Sequence, residues 1–144
     1  KHGLSVVQGD ADKDLIAYPS KSFDFVILSQ TLQATRSPEK VLNELVRISK
    51  HAIVSFPNFG SWLVRLKLLI NGAMPKSDSL PYTWYTTPNI HLCTIKDFKK
   101  LCNKNSINIE QNFYLNKNGK KITNPIKKIF NNFFSTSGLF VIKK

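Results

Sequence analysis

A chain of 144 residues fits one domain, and a hydrophobic content of 42% excludes a disordered polypeptide. No stretch approaches the roughly 20 apolar residues of a membrane span, and the opening Lys1-His2-Gly3 is unlike a secretion signal. A net charge of +12 points first to nucleic acid, but residues 1–95 carry 10 Lys+Arg against 7 acids, whereas residues 96–144 carry 11 lysines against 2. No arginine follows Arg65, although arginine is the side chain that clamps phosphate or reads guanine in bidentate fashion. Lysine scattered among asparagine and isoleucine fits a solvated surface of biased composition. The first residue is not Met, so the chain is expected to begin inside a longer protein. Cys93 and Cys102 are expected to be free, buried thiols, as in a reducing cytoplasm.

Val6-Val7-Gln8-Gly9-Asp10 reads as a short strand closed by a polar turn. Phe23 to Leu28 is a stronger strand, nearly continuous in apolar residues, as expected when both faces of a sheet are covered. Ser37-Pro38-Glu39 starts a helix, since Ser can cap, Pro suits the first helical position and Glu complements the dipole. Val41, Leu42, Leu45, Val46 and Ile48 follow at helical spacing. Ala52 to Phe56 is a third buried-type strand, stopped by Pro57-Asn58. Strand, helix and strand at these intervals predict a βαβ unit, an α/β class and a largely parallel sheet. All three strands turn polar at their carboxyl ends (Asp10, Ser29 and Gln30, Asn58), where open parallel sheets keep their ligands.

Trp62 to Ile70 predicts a core-packing helix ending near Asn71-Gly72. Residues 73–93, with three prolines and Tyr82, Trp84 and Tyr85, form an ordered lid or contact segment. Thr94-Ile95-Lys96-Asp97 resembles a capping box and opens a helix whose Ile95, Phe98, Leu101 and Cys102 share a face. Ile107 to Leu115 alternates as a half-buried strand with Ile107, Ile109, Gln111, Phe113 and Leu115 on one side. A basic-aromatic segment, Lys127 to Phe134, precedes a last strand, Gly138 to Ile142. These final two strands lack a crossover helix and can pair antiparallel at the sheet edge.

Little here marks covalent chemistry. His91-Leu92-Cys93 sets a His near a thiol, but nothing activates Cys93. His91, Cys93 and Asp97 make no metal pattern, alternating Asp10, Asp12 and Asp14 are a weak signal for paired catalytic carboxylates, and neither glycine-rich phosphate motif occurs.

Whole phrases carry a resemblance. Gly3 to Asp12 (GLSVVQGDAD), Phe23 to Thr35 (FDFVILSQTLQAT), Ala52 to Gly60 (AIVSFPNFG) and above all Leu80 to Thr94 (LPYTWYTTPNIHLCT) resemble the methionine biosynthesis protein MetW family. The likeness runs from residue 3 to about 121, fades to 137 and returns weakly in the last strand. It implies a Rossmann-like class I methyltransferase fold of strand order 3-2-1-4-5-7-6, with strand 7 antiparallel and the first two strands lacking here. Residues 1–144 would then be a single incomplete domain. The resemblance implies S-adenosylmethionine as cofactor, with Asp10 accepting from the adenine amino group, Ala11 against the ring, and Ser29, Gln30 and Leu32 lining the pocket. The family's glycine-rich loop and its ribose-binding acid would precede this chain. With those strands absent, the strand around Val7 would have no neighbour and the chain is expected to self-associate.

Three functions follow as expectations. First, the family resemblance implies a methionine-pathway accessory protein partnered with homoserine O-acyltransferase, using the segment from Leu80 to Cys93. Second is an active methyltransferase with Tyr85, Asn89 and His91 on the acceptor side. Third is RNA binding through Phe130, Phe133 and Phe134, although those rings suit a core better.

Overall fold

The computed structural model describes residue 3 and residues 6–144; part of the Gly3–Asp12 phrase, Leu4 and Ser5, lies outside the described residues. Four strands form one sheet: β1 (Phe23–Ser29), β2 (Ser49–Pro57), β3 (Asn108–Leu115) and β4 (Ser137–Lys143), in the order β1-β2-β4-β3. β1 and β2 are parallel, with Ile27 opposite Ile53, and β4 runs antiparallel to both β2 and β3. Helix α1 (Pro38–Ile48) is the crossover between β1 and β2. Helices α2 (Trp62–Asn71) and α3 (Ile95–Lys104) follow β2, and the short α4 (Pro125–Ile129) and α5 (Asn131–Phe134) precede β4. Among the described residues, no helix is long and apolar enough to cross a membrane.

The core lies on the sheet face that α1 and α3 cover. Val41, Leu42, Leu45 and Val46 from α1 meet Ala52, Val54 and Phe56 of β2, and Ile95, Phe98 and Cys102 from α3 complete the cluster. Phe56, Phe98 and Phe140 form its aromatic centre, with ring centroids 4.7–5.7 Å apart. Helix α3 starts as its sequence predicts: the Thr94 hydroxyl oxygen accepts the Asp97 backbone N–H at 3.2 Å and donates to the Asp97 carboxylate at 2.6 Å. Gly72 ends α2 with φ at +59°, a left-handed cap that a side chain disfavours.

Several expectations are overturned. Residues 6–10 form no strand, and Val7 is 83% exposed, because no neighbour among the described residues offers that run a ladder. Among the described residues the sheet is covered on one face alone: Ile27 is 68% exposed on the other, beside half-buried Ile53. In α2 just Val64 is buried, while Leu69 and Ile70 face solvent, since no element among the described residues packs across their side. In β3 the register shifts between Ile109 and Gln111, and the extra residue reverses the alternation. Tyr114 therefore enters the core and Phe113 does not, with Lys121 lying over its ring. Phe130 and Phe133 are exposed on short helices, and of the three phenylalanines Phe134 alone packs against the core.

Candidate functional site

The carboxyl ends of β1, β2 and β3 share one rim with the start of β4, and the polar residues gather there. Ser29 closes β1, its hydroxyl 3.3 Å from that of Ser55 on β2. Gln30 turns the chain off the sheet with φ at +53°, a left-handed conformation uncommon for a side chain other than Asn, Asp or Gly. Two contacts hold it: its N–H donates to the Ser55 carbonyl at 3.0 Å and to the Ser55 hydroxyl at 3.2 Å. Strained backbone of this sort persists where neighbours over-determine it, and it concentrates at functional sites.

Gln33 is the rim's buried hub. Its carbonyl accepts the N–H groups of Ile90 and His91, at 2.9 and 3.0 Å, and so pins the end of the aromatic segment beside β1. Its side-chain amide donates to the Gln30 carbonyl at 2.9 Å, while Oε1 is buried without a partner. Leu32, Gln33, His91, Leu92, Phe98 and Leu101 border an apolar cleft of about 640 Å³ between this rim and α3. Cys93 lines it too, but burial pushes its thiol up to about 12, so it is not a nucleophile at neutral pH.

Asp10 is exposed in an Asp-initiated turn. Its carboxylate accepts the Asp12 N–H at 3.0 Å and pairs with Lys13 at 3.2 Å; the Asp12 N–H first, then Lys13, holds it below the ordinary carboxylate range. Asp12 anchors this loop to the rim, its two oxygens accepting the Arg36 and Ser37 N–H groups at 2.8 Å each. Sequence reasoning weighed Asp12 as a catalytic carboxylate; the structure makes it a backbone acceptor. At the end of β2, buried Asn58 donates to the carbonyls of Asn132 and Ser135 and accepts from Gly60 and Ile95. The sequence marks Asn58 as a strand-end polar residue, and the structure makes it a structural brace.

The sequence matches the family Methionine biosynthesis protein MetW over residues 1–142. The chain belongs to the MetW family. A curated relative, "Bifunctional methionine biosynthesis protein MetXA/MetW" of Rhodopirellula baltica, is 34% identical over 113 residues, spanning 78% of this chain and 18% of the relative. Two solved structures are similar in fold. A SAM-dependent methyltransferase of Thermotoga maritima, described as a possible histamine N-methyltransferase, aligns with TM-score 0.61 and 18% identity, covering 99% of this chain and 64% of that one. A SAM-dependent methyltransferase of Archaeoglobus fulgidus aligns with TM-score 0.59 and 13% identity, covering 99% and 68%. The MetW chain therefore has the α/β, Rossmann-like class I methyltransferase fold, and it spans less than a fifth of its curated relative.

Two of the residues that the resemblance assigns to the cofactor, Ala11 and Leu32, border separate clefts. Ala11 lines a cleft against α1, with Asp12 and Val41, whereas Leu32 lines the cleft beside α3. Of the acceptor-side candidates, His91 joins Leu32 in that cleft, Asn89 lines a small cavity with Trp84, and exposed Tyr85 packs edge-on against Trp84. The 144 residues contain no G-x-G sequence that would let backbone approach the amino-acid end of S-adenosylmethionine. The residues present thus do not fit the whole cofactor.

Proposed function

We propose that the chain serves methionine synthesis as the non-catalytic partner of a homoserine O-acyltransferase, using a methyltransferase-type fold as a docking scaffold. The observation that carries this reading is the curated relative whose name joins MetXA and MetW as one bifunctional protein. A contact surface supports it. The segment from Leu80 to Cys93 is fixed at one end by Gln33 yet leaves Trp84 at 74% and Tyr85 at 70% exposed. Large aromatic side chains on a held backbone are characteristic interface anchors. Exposed Leu69 and Ile70 of α2 add apolar surface. The test is co-purification of the full-length protein with the acyltransferase from the same cell, followed by Trp84→Ala/Tyr85→Ala. The expected result is a stoichiometric complex that the double substitution weakens by about tenfold or more. Recovery of no acyltransferase would end the proposal.

A second reading, active S-adenosylmethionine-dependent methyl transfer, draws on the fold and on the held, left-handed Gln30 at the rim. In it Asp10, Ala11, Ser29, Gln30 and Leu32 bind cofactor, and Tyr85, Asn89 and His91 face the acceptor. Calorimetric titration of the full-length protein with S-adenosylmethionine decides: saturable binding displaced by S-adenosylhomocysteine would favour this second reading, and no heat with no competition would reject it.

A further inference from the structure

Beyond β2 and β3 the same rim carries a second cleft, of about 500 Å³, that neither proposed role uses. The first turn of α2 contributes Trp62, the turn after β3 contributes Lys117 and Lys121, the entry to α4 contributes Asn124 and Lys127, and α5 contributes Phe134. No acid lines it, and none occurs between Gln111 and Lys144. Among the described residues, no ion pair includes Lys117, Lys121 or Lys127. Asp78 lines an adjoining cavity that shares Lys117, so Lys121 and Lys127 carry the argument.

Ammonium groups lining one cleft repel each other, and no acid in the cleft lining offsets them. Aromatic faces hold the two side chains in place instead: Lys121 Nζ lies 4.5 Å from the Phe113 ring centroid and Lys127 Nζ 5.8 Å from that of Phe134. A cation docked on a ring keeps its N–H donors free for an anion. Trp62, 40% exposed, adds an aromatic face and an indole donor. The volume lies within the range of small-molecule sites, roughly 300–1,000 Å³. Convergence on a cavity, rather than a track along the surface, fits a compact ligand better than a nucleic-acid strand.

We propose that this cleft binds a phosphorylated small molecule, with its phosphates on Lys121 and Lys127 and its organic part against Trp62. The assignment is independent of the acyltransferase partnership. The test is calorimetric titration of the full chain with ADP, with inorganic pyrophosphate and with a short oligouridylate, at low salt. ADP is expected to saturate one site, and Lys121→Gln/Lys127→Gln to weaken it by about tenfold or more, with an unchanged circular dichroism spectrum. Lys120→Gln/Lys128→Gln, which alters neighbouring lysines that do not line the cleft, is expected to leave ADP affinity within about twofold. Trp62→Leu is expected to weaken ADP and leave pyrophosphate unaffected. Absence of saturation by both phosphate probes would overturn the proposal, as would equal losses in the two lysine pairs. Oligouridylate held more tightly than ADP and released by the cleft substitutions would replace it with a nucleic-acid surface.

Discussion

The Asp12 carboxylate accepts the backbone N–H of Ser37 at 2.8 Å, joining the loop before β1 to the N-cap of α1. Ser37 itself makes no side-chain cap to that helix, so the distant Asp12 supplies an acceptor at the helix entrance that the local sequence leaves out. The second Asp12 oxygen takes Arg36, which makes the link two-point and directional. Asp12→Ala is expected to lower unfolding free energy by about 1–2 kcal/mol, read from urea melts. Hydrogen exchange at the Arg36 and Ser37 amides should accelerate. Unchanged exchange at both would show that the contact does not persist in solution.

Asn58 ties together three parts of the chain from one buried side chain. Its carboxamide spends four hydrogen bonds on four separate backbone groups, linking the end of β2 to α3 and α5, and it is 1% exposed. Removing it strands buried donors and acceptors together. Asn58→Ala is expected to cost about 3 kcal/mol and to lower Tm by more than 5 °C, roughly as the size of the domain dictates. Asn58→Asp should be nearly as damaging, because a carboxylate cannot donate to the Asn132 and Ser135 carbonyls. A thermal shift of a degree or less in either variant would contradict this account.

The regular elements were legible because their signals are local. Phe23 to Leu28, the Ser37-Pro38-Glu39 start and the Thr94-to-Asp97 cap each appear within a residue or two of where the sequence puts them. What sequence could not supply depends on neighbours. The bulge at Glu110 arises from pairing with β4, and it alone decides that Tyr114 rather than Phe113 is buried. The apolar face of α2 reads as core by composition, and exposure follows from the absence of a packed partner. At the candidate site, the strand-end polar residues, Asn58 among them, were readable, but the long-range backbone contacts through which Asp12, Gln33 and Asn58 act leave no spacing pattern. The cluster of Trp62 with lysines from residues 117–127 likewise exists only once β3 and α4 are folded.

Glu110 should make stability fall at acid pH. It bonds Lys143 at 2.7 Å and His51 Nδ1 at 2.6 Å, and these partners, Lys143 first, hold its carboxyl below the ordinary range. A carboxyl more acidic when folded than when unfolded stabilises fully above its unfolded value, about 4.3. That contribution drains away as pH falls through the lower folded value. Glu110→Gln is therefore expected to flatten the pH profile of Tm between about pH 5 and pH 3 relative to wild type. Parallel profiles would mean the trio contributes nothing measurable.

The sheet's open side sets the behaviour of the isolated polypeptide. β1 is an edge strand, paired only with β2 among the described residues, and its Phe25 and Ile27 stand exposed on the uncovered face. An apolar edge with free N–H and carbonyl groups is a template for another strand. Lys50 and Asp24 form an exposed ion pair beside it at 2.7 Å, but such a pair is worth little and guards one end alone. Concentration-dependent self-association is the expected behaviour of the 144-residue chain, measured by light scattering after size exclusion. Ile27→Lys should raise the monomer fraction by placing a charge at the centre of the edge, whereas Ile129→Lys, on exposed α4, should not. A monodisperse monomer for wild type, with a single cooperative urea transition, would show that this edge is harmless as it stands.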